Sequence, residues 1–282
     1  MAIQADLILW LQSFLHPSCD LFFKWISELS SIKGMILGWG TFIFFFSYRY
    51  GCRIVLINLL VQYFGSLWLK TLMAIPRPFE TFLEIITIEP ARGFSFPSGH
   101  AINAMIFWGM VALYFKKRWI TGICSILIFL IGFSRVYLGV HYPLDVFTSF
   151  LLCGVILWIF KKRGEMKNFL SRKSEIFKLG LIIISSLALY GLVFFFSPQG
   201  IPSSWFYGFV SLYTSVSLGW FLKNRFVFWN EEASGLQRIA RTLVGLAVLG
   251  LALHLYPKAF LTYWFIGFWI TLGVPLLFSK IR

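Results

Sequence analysis

Acidic side chains are scarce in this chain. Eleven Asp and Glu stand against 25 Lys and Arg in 282 residues, and charged residues of both signs make up 13%, about half the share of an average soluble domain. That shortage excludes an ordinary water-soluble globule. Cysteine is sparse too: Cys19, Cys52, Cys124 and Cys153 show no paired or metal-type spacing, which argues for four packing residues and against a disulfide framework. The start MAIQADLILW has no basic leader and no small-residue cleavage site, so no signal peptide is expected.

What is abundant is apolar: 59% hydrophobic residues, with 33 Phe. Several uncharged stretches are long enough to cross a hydrocarbon core of about 30 Å, which favours a helical bundle over a barrel. The net charge of +14 then belongs to cytoplasmic loops and anionic headgroups, and a nucleic-acid partner is not expected. Apolar runs lie at about 34–48, 54–74, 100–115, 119–134, 144–160, 176–197, 204–222, 239–255 and 259–278, so the expected fold is all-α, a polytopic transmembrane bundle of about nine spans. Residues 1–32 differ. Asp6, Asp20, Lys24 and Glu28 interrupt them, and Leu7, Leu11, Phe14 and Leu15 recur at helical spacing around His16-Pro17. They read as two amphipathic helices at the membrane interface, or as one tilted tenth span.

Basic residues cluster at Arg49 and Arg53, at Lys116 to Arg118, and from Lys161 to Lys173. These alternate loops are expected to be cytoplasmic, with the C-terminus inside, which puts 75–99 and 135–143 together on the extracytoplasmic face. The expected organisation is an interfacial segment 1–32, a core 33–162, a basic cytoplasmic linker 163–175 and four further spans over 176–282.

Nearly all the polar chemistry sits in those two segments. Lys70 ends a span, Arg77-Pro78 follows, and the first segment closes with FSFPSGHA, residues 94–101. Pro97 and Ser98 ahead of an apolar run mark a helix start, whose orphan N–H groups and positive dipole end favour an anion. Gly99 offers no side chain to obstruct a phosphate-sized group, and His100 projects from the first turn. In SRVYLGVHYPLD, residues 134–145, His141 and Asp145 are four apart, one helical turn, so the carboxylate can accept the imidazole N–H. Pro143 suits a first turn, and Arg135 lies close enough in sequence to reach back to the same place. Three cations, two histidines, a helix N-terminus and a carboxylate suit phosphoryl transfer: a His held by Asp can attack phosphorus while a second His protonates the departing alkoxide. No cluster has metal-ligand spacing, so no metal and no cofactor are expected.

These residues resemble the type 2 phosphatidic acid phosphatases, the PAP2 family, whose motifs are K-x6-RP, PSGH and SR-x5-H-x3-D. Here they read Lys70 with Arg77-Pro78, then Pro97-Ser98-Gly99-His100, then Ser134-Arg135 with His141 and Asp145, in the family's order. The resemblance covers about residues 1–162. It departs from the common six-span bacterial form in the interfacial N-terminal segment and in the four spans beyond the basic linker, where no functional motif is recognised. It implies that His141 is the nucleophile forming a phosphohistidine and that Asp145 orients it. By the same likeness His100 is general acid and then base, and Lys70, Arg77, Ser98, the Gly99 backbone and Arg135 hold the phosphoryl oxygens. The expected setting is a bacterial inner (plasma) membrane, the expected partners a phospholipid or polyprenyl-phosphate substrate and membrane lipids.

Each residue also has a plainer reading. Lys70 could snorkel, Arg77 could be a loop charge, residues 97–99 a simple cap, Arg135 and Asp145 a structural ion pair, and either histidine a packing residue. Jointly these leave unexplained why every role of a phosphoryl-transfer site is filled. His16 and His254 match no motif and read as packing residues; Glu231 and Glu232 read as solvated loop charges. Three functions are consistent with the sequence. One is a metal-independent lipid phosphatase acting on phosphatidate, phosphatidylglycerol phosphate, a polyprenyl diphosphate or a lipid A phosphate. Another is a phosphotransferase with a second lipid as acceptor, and the third a non-catalytic lipid-binding or transport protein. The loop 80–92 reads equally as a lid over the headgroup and as a surface connection.

Overall fold

The computed structural model describes residues 1–162, 174–196, 200–229, 233–255 and 260–279, and no strand occurs among them. All but the last two residues of the expected linker 163–175, the pair Glu231 and Glu232, and the final residues of the chain lie outside the described residues. The helices are α1 (Ala2–Leu15), α2 (Asp20–Glu28), α3 (Ile32–Thr41), α4 (Tyr48–Gln62), α5 (Leu69–Met73), α6 (Pro78–Thr81) and α7 (Gly99–Phe115). They continue with α8 (Arg118–Tyr137), α9 (Pro143–Lys162), α10 (Glu175–Phe196), α11 (Ser203–Phe226), α12 (Gly235–Leu255), α13 (Phe260–Phe268) and α14 (Val274–Ser279).

The expected apolar runs are helical over their described residues except at Ser47, which is extended, and Ala74, which caps α5 in the left-handed region, and the chain is an all-helical integral membrane protein. Among the described residues, six stretches are long and apolar enough to cross a bilayer: Tyr48–Thr81, α8, α9, α10, α12 and Phe260–Ser279. A seventh exists if α2 and Ile32–Phe46, bent by 54°, form one broken span. The expected nine exceed this count for two physical reasons. α7 has 17 residues, about 25 Å at 1.5 Å per residue, short of a core of about 30 Å. α11 has 24 residues, but Ser203, Ser204, Ser211, Thr214, Ser215, Ser217, Lys223 and Arg225 dilute its apolar character.

The chain forms two compact units. The first comprises Met1–Met35, Val61–Gly164 and Pro198–Ile201; the second comprises Ile36–Leu60, Glu165–Ser197 and Pro202–Arg282. In the first, α1 buries Ala5, Ile8, Leu11 and Gln12 while Ile3, Leu7, Trp10 and Phe14 stay exposed on another face. The buried face joins Phe23 of α2, Ile85 and Ile88 of the loop after α6, Ala101 of α7, and Val136, Tyr137, Leu138, Val140 and Tyr142 in a single core. Gln12 is the polar centre of that core: its amide donates to Ile86 O (2.8 Å) and Tyr137 O (3.0 Å), and its oxygen accepts from Ile86 N (3.0 Å). The tight turn after α8 depends on Gly139, at φ +77°, where a Cβ would lie 2.5 Å from Ile86 O; only glycine takes that conformation without strain.

α4 runs into a π-helical turn, Tyr63–Trp68, before α5. Such turns widen one helical step and often mark functional positions; here the turn precedes Lys70. In the second unit, Gly219 and Gly267 let α11 and the α13 region approach through Thr271 and Ser215, the small-residue contact typical of membrane helices. Two buried cations of this unit lie over rings: Arg241 is 4.3 Å from the Trp229 centroid and Lys223 4.6 Å from that of Tyr48.

Candidate active site

The N-terminus of α7 forms as its sequence dictates. Ser98 is the N-cap, its hydroxyl accepting from Ala101 N at 3.4 Å. The Ser98 N–H donates to Ser149 Oγ (3.0 Å), and that hydroxyl donates to Asp145 O (2.6 Å), which ties the cap to α9. Gly99 has a role beyond clearance for a ligand. A Cβ there would lie 3.1 Å from Ser66 Oγ and 3.4 Å from Gln62 Oε1, and Gln62 donates to Gly99 O at 2.6 Å. The missing side chain therefore lets α7 close on the π-helical turn. His100 follows at the second helical position, partly exposed.

The second wall differs from the expected single helical face. α9 begins at Pro143, because proline starts a helix readily and excludes the residue before it from helical conformation. His141 thus lies in the turn ahead of α9 and Asp145 in its first turn. They still meet: His141 Nδ1 is 3.4 Å from Asp145 Oδ2, and both side chains are buried. The same oxygen accepts from Tyr142 N (3.0 Å) and from Ser95 Oγ (2.5 Å).

The cations are held by carbonyls. Lys70, in the last turn of α5, donates to Phe94 O and Ser95 O at 2.8 Å each. Arg77 donates from Nε to Gly93 O (2.8 Å), from Nη2 to Arg92 O (2.9 Å) and from Nη1 to Val140 O (2.7 Å). Three acceptors from two loops fix the guanidinium plane, and Nη1 lies 3.5 Å from His141 Nε2. Arg135 does not pair with Asp145. Its Nη1 donates to Ser27 Oγ and to Glu89 Oε2, the latter at 2.9 Å, and its backbone carbonyl accepts from His141 N at 3.2 Å. Its Nε is buried with no hydrogen-bond partner among the described residues.

All eight residues singled out from the sequence, Lys70, Arg77, Ser98, Gly99, His100, Arg135, His141 and Asp145, fall in the first unit. Four others join them that spacing did not reveal: Ser27, Glu89, Ser95 and Ser149. Ser95 stood inside FSFPSGHA, two residues ahead of the helix-starting Pro97, and was visible only as an unassigned hydroxyl. Burial, and then the charges of Arg77, Lys70, Arg135 and neighbouring His100, hold the His141 imidazole well below its ordinary 6.5. It is therefore neutral at pH 7, with Nδ1 facing the carboxylate and Nε2 facing Arg77. Among the described residues no group of three or more His, Cys, Asp or Glu gathers as metal ligands.

Comparison with known proteins places this geometry. The model of the PAP2 superfamily matches residues 50–168, and that of the PAP2 superfamily phosphatase transmembrane extension matches 207–282. An undecaprenyl-diphosphatase of Sulfolobus acidocaldarius is 41% identical over 87 residues, covering 29% of this chain and 40% of that protein. Phosphatidylglycerophosphatase B of Bacillus subtilis is 37% identical over 83 residues, covering 26% and 40%. The matched stretches thus span less than half the length of these two relatives. A longer, weaker likeness runs to mouse sphingosine-1-phosphate phosphatase 2, 23% identical over 253 residues, covering 84% of this chain and 70% of that one. With one superfamily's models matching both the motif-bearing stretch and the C-terminal helices, the chain belongs to the PAP2 superfamily.

Proposed function

We propose that the chain is a membrane lipid phosphatase that hydrolyses a phosphate monoester or diphosphate of a lipid headgroup through a phosphohistidine at His141. The observation that carries this reading is the orientation of one buried, neutral imidazole: Nδ1 stands 3.4 Å from Asp145 Oδ2 and Nε2 stands 3.5 Å from a guanidinium nitrogen of Arg77. A phosphoryl oxygen taken up by Arg77 brings phosphorus to the nitrogen that carries the lone pair. Nε2 then forms the N–P bond as the P–O bond to the lipid, or to its remaining phosphate, breaks, and His100, which takes up a proton when the anionic phosphate enters beside the three cations, gives it to the leaving oxygen. His100 next takes a proton from water, the hydroxyl attacks phosphorus, and His141 is released with free phosphate. Lys70, the Ser98 hydroxyl, the first N–H groups of α7 and the unpartnered Nε of Arg135 hold the remaining oxygens. Asp145 keeps Nδ1 protonated, so that Nε2 is the nucleophile.

The relatives named above carry lipid phosphates in their names, which supports a lipid phosphate as the substrate class. In the proposed setting the site faces the extracytoplasmic side of a bacterial inner membrane, the catalytic residues all come from the stretch 61–164 of the first unit, and 163–175 is a cytoplasmic linker. The helices of 176–282 form a further membrane domain with the C-terminus inside, and α1 lies at the interface with Ile3, Leu7, Trp10 and Phe14 toward lipid. The test is phosphate release from phosphatidate, phosphatidylglycerol phosphate, undecaprenyl diphosphate and lipid A in mixed micelles. Release from at least one is expected, with a loss on the order of a thousandfold or more in His141→Ala. No release from any lipid sinks the reading, and phosphate appearing on a second lipid instead of in solution replaces hydrolysis by transfer.

A further inference from the structure

We infer that Ser95 is a positioning residue, its hydroxyl holding the Asp145 carboxylate in the orientation that aligns His141. The inference rests on the proposed phosphohistidine reading. Ser95 is fully buried, and each of its polar groups is committed to a different part of the site. Its N–H donates to Ile75 O (2.8 Å), its carbonyl accepts from Lys70 Nζ (2.8 Å), and its hydroxyl donates to Asp145 Oδ2 (2.5 Å) while standing 3.5 Å from His141 Nδ1. Ser95 thus connects Lys70 and Ile75, which precede it, to the His–Asp pair.

The hydroxyl is the closest of the three donors facing Oδ2. Tyr142 N stands at 3.0 Å and His141 Nδ1 at 3.4 Å. A carboxylate can rotate about its Cβ–Cγ bond, and a backbone N–H alone does not fix that rotation. With the hydroxyl in place, Oδ2 is pinned between the Tyr142 amide and Nδ1, so the imidazole keeps one tautomer and one ring orientation. Ser95 touches neither substrate nor the reacting atoms in this arrangement. Its effect passes through Asp145, much as outer-shell carboxylate partners act on ligating histidines. A carboxylate with one donor fewer also takes up a proton at higher pH.

The experiment uses the full chain in detergent, with phosphate release measured on whichever of phosphatidate, phosphatidylglycerol phosphate and undecaprenyl diphosphate the parent hydrolyses fastest. Ser95→Ala is expected to lower kcat by about tenfold to a hundredfold with KM within about threefold, as for loss of a hydrogen bond to a charged group. The acid limb of its kcat profile moves to higher pH. Ser95→Thr, which keeps the hydroxyl, stays within about threefold of the parent. A folded Ser95→Ala with the parent's kcat overturns the inference, as does a Ser95→Thr impaired as much as Ser95→Ala. Should Ser95→Ala fail to fold, Ser95→Cys decides, because it fills the same space with a poor donor: parent-level kcat there overturns the inference. His141→Ala separates the two readings. An active His141→Ala sinks the phosphohistidine, whereas a dead His141→Ala beside an unimpaired Ser95→Ala sinks the role of Ser95 alone.

Discussion

His141 occupies the short turn between α8 and α9, and its neutrality has a consequence for stability. Its folded-state affinity for a proton is far below that of an ordinary imidazole at 6.5. Below that pH the unfolded chain binds a proton that the native site refuses, so the native state loses stability as pH falls. The loss is at most about 1.4 kcal/mol per pH unit. Thermal unfolding in detergent should therefore show the parent losing more Tm between pH 7 and pH 5 than His141→Asn; equal losses would mean the imidazole is not held neutral. His141, His100 and the three cations were legible in the sequence, since the chain has only four histidines and the spacing of Lys70, Arg77 and Arg135 around two of them is informative. Ser95, Ser149 and Ser27 were not. Hydroxyls are common, and nothing in the order of residues says that Ser27 will stand beside Arg135, 108 positions away.

At the scale of elements, α1 and the loop after α6 do more than the sequence indicated. The single side chain of Gln12 satisfies three backbone groups, two of Ile86 and one of Tyr137. Gln12→Leu keeps the bulk and strands those groups, at a cost of about 2–4 kcal/mol, to be read as a lowered unfolding midpoint in detergent; an unchanged midpoint would show that water replaces the amide. The same loop supplies Glu89, whose carboxylate is 2.9 Å from Arg135 and one-quarter exposed, at 24%. An anion arriving at Arg135 competes with it. Vanadate should inhibit Glu89→Gln at up to about fivefold lower concentration than the parent, the range of a partly exposed ion pair; equal or weaker inhibition would place the anion elsewhere. Helix existence was legible because apolar runs persist. The difference lies at His141, which the four-residue spacing puts on one helix with Asp145 and which the structure leaves in the turn ahead of Pro143, since proline's steric effect on its predecessor outranks the spacing.

For the whole molecule the topology and the metal question are open to direct measurement. Leu83 is 89% exposed in the loop that carries Glu89, and a Leu83→Cys variant freed of Cys19 should react with an impermeant maleimide from outside intact cells. Labelling from the cytoplasmic side alone would invert the proposed orientation. Activity should persist in excess EDTA, because the cations are Lys and Arg; complete loss on chelation would require a metal that the proposed mechanism omits. Composition alone determined that the chain is an integral membrane bundle of helices, because so few charged residues leave so much apolar surface to bury in lipid. Motif order alone pointed to the superfamily and to the eight candidate residues that the fold brings into one unit. Tertiary structure decided what those residues face: that Arg135 pairs with Glu89 in place of Asp145, that Gly99 packs on Ser66, and that Ser95 reaches Asp145. The physical reason is that spacing fixes relations within a turn or two of helix, whereas hydrogen bonds between distant segments exist only once packing has brought their donors and acceptors within about 3 Å.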